Sequence, residues 1–227
     1  MAEPDGSIDP TFYAWPRASR FGRVVPKNRI VEHGALKPAI RRKLSEQVQQ
    51  IRWSHKLATE TTNLSAGSDV LEIQVLAVQA KLDDVDDDVL VAIDKAIPHP
   101  VVFEITAGGE EPRSRMTAAL KEVTDRTVTV GTYYSTPWVE TPALRQPLPP
   151  VPDLGVLYDR ILAGLLPTQV RKQENVSEAS ERLIQAAKLE RELSRLQVRM
   201  RNEPQFNRKA ELRRTIRKKE AELERLR

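Results

Sequence analysis

The sequence predicts an α+β fold: a mixed sheet of about five strands with packed helices, then a C-terminal antiparallel helical hairpin of coiled-coil type. Three observations predict it. Val70 to Thr106 reads as strand, acidic turn, helix and strand, the minimum length for a parallel crossover. Arg113 to Val123 and Thr127 to Tyr134 read as a β-hairpin around Thr124-Asp125-Arg126. Beyond Val176, Leu189, Leu193, Leu196 and Met200 repeat at spacings of 4, 3 and 4; after Asn202 to Asn207, Leu212, Ile216, Leu223 and Leu226 resume the seam.

Taken in order, residues 1–34 read as an irregular arm. Pro4, Pro10, Pro16 and Pro26 punctuate it, and Phe12, Tyr13 and Trp15 are candidates to pin it down. Residues 35–138 form the α+β domain. Leu36 to Gln50 begins it as a helix, with Leu36, Ile40, Leu44 and Val48 on one face and Pro38 in the first turn. Ile51 to Leu57 alternates like a strand, and Thr59 to Asp69 is a polar connection. Val70 to Val78 is the next strand. Asp83 to Asp88 opens a helix with Asp86 as a candidate cap; Val89, Leu90, Ile93, Ala96 and Ile97 make its stripe, and Pro98 stops it. Val101 to Ile105 follows as a strand. Residues 139–152 hold Pro142, Pro147, Pro149 and Pro150 and read as a stiff linker. Residues 153–166 read as a docking helix with a broad apolar face. Residues 170–227 are the basic hairpin, turned where Pro204 interrupts the helix.

Composition bounds the function classes. The chain has 227 residues, a net charge of +4 and no cysteine. Disulfides, thiolate zinc sites, iron–sulfur clusters and a cysteine nucleophile are excluded. The absence of cysteine fits a cytoplasmic location. The acidic, polar N-terminus does not read as a signal peptide, and no apolar run reaches the ~20 residues of a membrane span, so no membrane contact is expected. The ends, residues 1–56 and 151–227, carry an excess of Lys and Arg, and the middle an excess of Asp and Glu. That layout fits either nucleic-acid-facing ends or ends that fold back on the acidic middle.

Several segments in order carry a family resemblance: Trp53-Ser54-His55-Lys56-Leu57, Thr62-Asn63-Leu64, Glu72-Ile73-Gln74-Val75, Ile93-Asp94-Lys95-Ala96-Ile97-Pro98, Tyr133-Tyr134-Ser135-Thr136-Pro137-Trp138, Leu157-Tyr158, and Gln205-Phe206-Asn207-Arg208-Lys209 with Glu211-Leu212. From about Arg23 to the end, the chain resembles a domain-of-unknown-function class of small bacterial and archaeal proteins. Their genes often sit beside helicases and DNA methyltransferases of restriction or phage-defence type. The resemblance implies work near DNA and a helicase or methyltransferase partner. It carries over no catalytic residue and no cofactor.

The motifs divide into chemical and structural readings. Gln79-Ala80-Lys81 has the triplet form of a metal-dependent nuclease, with Asp69, Glu72 and Glu46 as candidate acids. Strand alternation places Glu72 away from Gln79 and Lys81, against that reading. Asp83 to Asp88 fails as a calcium loop, because Val89 stands where glycine is needed and Lys95 where the bidentate Glu belongs. His33, His55 and His99 share no metal spacing, so no metal site is assigned. Glu72 and Gln74 are either exposed or a buried polar pair.

The expected function is that of a non-enzymatic accessory protein in a DNA-related system. Arg213, Arg214, Arg217, Lys218 and Lys219 on the hairpin are the candidate phosphate contacts, with Lys37, Arg41, Arg42 and Lys43 as a second set. The hairpin contacts either DNA or RNA, or a protein. Two alternatives stand beside this: the nuclease using Glu72 or Asp69 with Gln79 and Lys81, and a structural adaptor that forms a homodimer through Leu193, Leu196, Leu223 and Leu226.

Overall fold

A computed structural model describes residues 12–227, apart from residues 35, 110, 125 and 126 and the side chain of residue 33. The tip of the predicted hairpin, Asp125-Arg126, lies outside the described residues. The chain divides into two units, one ending at Gln169 and one from Val170 to Arg227.

The first unit runs β1 (Phe12–Ala14), a 3-10 turn (Arg17–Ser19), β2 (Arg20–Val24), α1 (Lys27–Gly34), α2 (Pro38–Gln47), β3 (Val48–Leu57), α3 (Thr59–Thr62), β4 (Ile73–Ala80), α4 (Asp87–Lys95), β5 (Val101–Ala107), β6 (Arg113–Val123), β7 (Val128–Ser135), β8 (Val139–Glu140), β9 (Arg145–Pro147) and α5 (Leu154–Leu165). The mixed sheet has seven strands, not about five. Its order is β2-β3-β4-β5-β6-β7, with β8 also pairing β6. The crossover around α4 is parallel, with Gln74 opposite Val101 and Val78 opposite Ile105.

The additional strands come from segments expected to be irregular. Residues 12–34 hold two strands, a turn and a helix, and Phe12, Tyr13 and Trp15 are buried. The proline-rich stretch holds β8 and β9, and β9 pairs in parallel with β1. Local punctuation hides such strands, because pairing defines them: β2 pairs β3, β8 pairs β6, and the partners β1 and β9 lie more than a hundred residues apart. Other bounds shift as well. The α2 helix ends at Gln47 and β3 starts at Val48, β4 starts at Ile73, and α3 lies inside the expected connection.

Residues of both parities are buried on β4 and β5, so both faces of the sheet centre are covered. On one face Leu76, Val78, Phe103 and Ile105 pack with Ile30, Leu44, Val89, Leu90 and Ile93 from α1, α2 and α4. On the other, Glu104 meets Trp15 and Arg145. In α5, Asp153 caps the helix by accepting from the Val156 N–H, and Tyr158 donates to the Ala119 carbonyl at 2.6 Å.

The second unit is α6 (Val176–Asn202) and α7 (Phe206–Leu226). Asn175 and Glu178 close α6 with a reciprocal capping box. Ala186, Leu189 and Leu193 pack with Ile216 and Leu223. Arg182, near the start of α6, donates to the Leu226 carbonyl at the end of α7, and Lys219 meets Glu192 at 2.5 Å.

Candidate functional site

Two strand irregularities build a cleft in the first unit. From Arg20 to Arg23, β2 spends three steps against two on β3, and the surplus falls at Phe21-Gly22. Gly22 has φ 72°, in the left-handed region that glycine enters without a side-chain clash. On β3, Trp53 pairs Leu76 and His55 pairs Val75, so Ser54 is an extra residue. Simple alternation would set Trp53 and Lys56 on opposite faces. The bulge brings both to the face of Gln74, while His55 turns to the other face, 6.3 Å from Trp15.

The cleft measures about 650 Å³. Its polar centre is a relay. Trp53 Nε1 donates to Gln74 Oε1 at 2.7 Å, and Gln74 Nε2 donates to Glu72 Oε2 at 3.0 Å. Glu72 pairs Lys56 at 2.6 Å, with His99 Nε2 at 3.5 Å. The open choice for this pair therefore divides: Gln74 is fully buried and satisfied on both amide atoms, while Glu72 is partly exposed. Phe21, Arg23, Arg29 and Ile30 complete the wall. Phe21, Arg23 and Arg29 carry no motif that singles them out in the sequence. The available signal was that three resembling segments, around Trp53, Glu72 and Ile97, meet here.

The candidate phosphate contacts fall into free and engaged groups. On α7, Arg213, Arg214, Arg217 and Lys218 are exposed and make no ion pair among the described residues. At ~100° per residue they share one broad face, away from Ile216 and Leu223. Lys219 is engaged by Glu192, whose hydrogen bond raises the lysine pKa and lowers that of the acid. Lys37, at the N-cap of α2, and Arg41 within it are exposed, and Arg42 stands 3.9 Å from Glu46. Lys43 is held by Asp86 at 2.8 Å and Asp88 at 2.7 Å, which raises its pKa. Asp86 occupies the N-cap position of α4, but its side chain makes no cap hydrogen bond. Its carboxylate is spent on Lys43, which lowers its pKa.

The nuclease candidates do not converge. Glu72 precedes β4 and Lys81 follows it, so the strand separates them by about 30 Å at ~3.3 Å per residue. Lys81 donates to the Ser45 carbonyl at 2.8 Å, and Asp69 accepts from Ser68 Oγ. Among the described residues no three His, Asp or Glu cluster as metal ligands do, and no helix is long and apolar enough to cross a membrane.

A mixed seven-stranded sheet in one unit and a helix pair in the other, later in the chain, define an α+β protein with two units. The family described as "Domain of unknown function (DUF4391)" matches residues 14–223, and the chain belongs to it. Neither the curated proteins nor the solved structures contain a match to this chain.

Proposed function

We propose that this protein is a non-enzymatic accessory factor that holds nucleic acid on a basic helical hairpin, α6 and α7, while the α+β unit serves a larger partner. One observation carries the reading: Arg213, Arg214, Arg217 and Lys218 present four cations within six residues, on one face and with no acidic partner among the described residues. A solvated structural helix gains nothing from four unbalanced charges on neighbouring turns, because like charges at i,i+4 repel. A phosphate backbone converts that repulsion into affinity by counterion release. Membership of a family whose resemblance implies a helicase or DNA methyltransferase nearby supports an accessory role.

The test is titration of labelled single- and double-stranded DNA and RNA at two salt concentrations. The wild-type chain is compared with a variant reversed to Glu at Arg213, Arg214, Arg217 and Lys218. Binding that weakens steeply with salt in the wild type and disappears in the variant is expected. Equal binding by both proteins, or by neither, removes the reading.

A further inference from the structure

The cleft beside β2 and β3 has features that phosphate contact on α7 leaves unused. Its floor is apolar: Val25, Ile30, Ile97 and Pro98. One wall is aromatic, with the Phe21 and Trp53 ring centres 5.1 Å apart. The indole is held in place because its N–H is committed to Gln74. Phe21 remains well exposed at 39% although it is a large apolar side chain on a sheet edge. The rim is cationic. Arg23 places its guanidinium carbon 4.8 Å from the Phe21 ring centre, and Arg29 stands exposed at the start of α1. Neither arginine makes an ion pair among the described residues. The acid of the cleft, Glu72, is already shared by Lys56 and Gln74.

These features define the complement of a planar aromatic body that carries an anion. An apolar floor alone would fit a greasy side chain, but it would not account for two unpaired guanidinium groups at the same mouth. A sulfate-like anion alone would not need the aromatic wall. The volume, about 650 Å³, lies within the ~300–1,000 Å³ of small-ligand sites. We propose that this cleft binds a nucleotide, with the base against Phe21 and Trp53 and the phosphate at Arg23 and Arg29. Aromatic faces accept any base, and arginine forks match phosphate oxygens. The chemistry is shared by a free mononucleotide and by a nucleotide within single-stranded DNA or RNA. The site lies on the first unit, so it does not rest on the α7 reading.

The test uses the full chain labelled with ¹⁵N. The Trp53 indole N–H signal, assigned with Trp53→Phe, reports the cleft and not α7. Adenosine monophosphate, a short oligo(dA) and inorganic phosphate are titrated separately. Phe21→Ala and Arg23→Ala are the variants, since both side chains are exposed and circular dichroism can verify their folding. The expected result is a saturable shift with adenosine monophosphate or oligo(dA), weakened at least about tenfold in each variant, and a far weaker response to phosphate. A response to both nucleic probes assigns a free nucleotide, and a response to oligo(dA) alone assigns a strand. No indole shift with either probe overturns the proposal. So does equal affinity in the variants, or phosphate matching adenosine monophosphate.

Discussion

Lys121 and Asp94 form an ion pair sealed from solvent, with Nζ 2.6 Å from Oδ1 and neither side chain exposed. The same ammonium reaches the carbonyls of Asp94 at 2.7 Å, Ile97 at 2.6 Å and His99 at 2.8 Å, where α4 ends. Tyr133 donates to the second carboxylate oxygen at 2.7 Å. The lysine thus does the work of a C-cap, with its charge at the negative end of the helix. Burial pushes the Asp94 pKa up and the Lys121 pKa down, so desolvation opposes the pair while its partners sustain it. Lys121→Met is expected to lower stability by about 3–5 kcal/mol, because Asp94 keeps a buried charge without its cation. Adding Asp94→Asn is expected to recover part of the loss. Urea unfolding of the two proteins measures both, and a single-variant loss below ~1 kcal/mol would refute this role.

Arg145 ties the N-terminal strand to the sheet. Arg145 grips Glu104 with two hydrogen bonds, at 2.7 and 2.8 Å, and donates to the Tyr13 carbonyl at 2.8 Å. Trp15 Nε1 donates to the same carboxylate at 2.7 Å. The Glu104 hydrogen bonds raise the arginine pKa, so the guanidinium stays charged. Arg145→Ala removes the side-chain tie from β9 to Glu104 of β5 and to the Tyr13 carbonyl of β1, leaving the β1–β9 pairing and the Trp15 hydrogen bond. Amide exchange at Phe12, Tyr13 and Ala14 is expected to accelerate by more than that of β4. Uniform acceleration across the first unit would show that Arg145 serves the whole sheet instead.

How much of this was legible in the sequence depends on how local each cause is. The α4 stripe and the flanking strands follow from period and punctuation within forty residues, and the parallel crossover appears where they place it. The alternation from Ile51 to Leu57 is visible, but the surplus at Ser54 is not. It arises from pairing with β4, and it decides which side chains enter the cleft. The strands β1 and β9 exist through each other across more than a hundred residues, so neither reads as a strand alone. Basic residues on α2 and α7 were legible as composition. That Lys43 and Lys219 are engaged by Asp86, Asp88 and Glu192 depends on packing between elements far apart in the chain.

Glu174 supplies a pH-dependent tie in the second unit. It accepts two hydrogen bonds from Arg182, at 2.6 and 2.9 Å, and one from the Arg171 N–H at 3.0 Å. The Arg182 hydrogen bonds lead in holding its pKa down at about 2. The folded value lies below the unfolded one, so the contribution to stability is present above about pH 4.5 and is lost as pH falls through about 2. A ¹³C carboxyl titration of Glu174 is expected to show a midpoint near about 2. A midpoint in the ordinary glutamate range would mean that Arg182 does not hold the carboxylate in solution.

Neighbouring cations on α7 are expected to separate by role. Lys219 is partly buried and bonded to Glu192 across the helix pair, whereas Arg217, two residues earlier, is exposed with no acidic partner among the described residues. Lys219→Ala removes a cross-helix pair. It is expected to lower stability only slightly, because solvent screens such a pair. Its effect on nucleic-acid affinity follows only from the charge lost to the general field. Arg217→Ala leaves the packing of Ile216 and Leu223 intact, so thermal unfolding is expected to be unchanged. On the proposed phosphate-binding face it would remove one phosphate contact, so the slope of log affinity against log salt is expected to fall by roughly 0.7 for single strands and 0.9 for duplex DNA. The two variants compared in one assay distinguish a phosphate-binding face from a charged coat. If Lys219→Ala and Arg217→Ala change the slope equally, the cations act only as a diffuse field and the specific set on α7 is wrong.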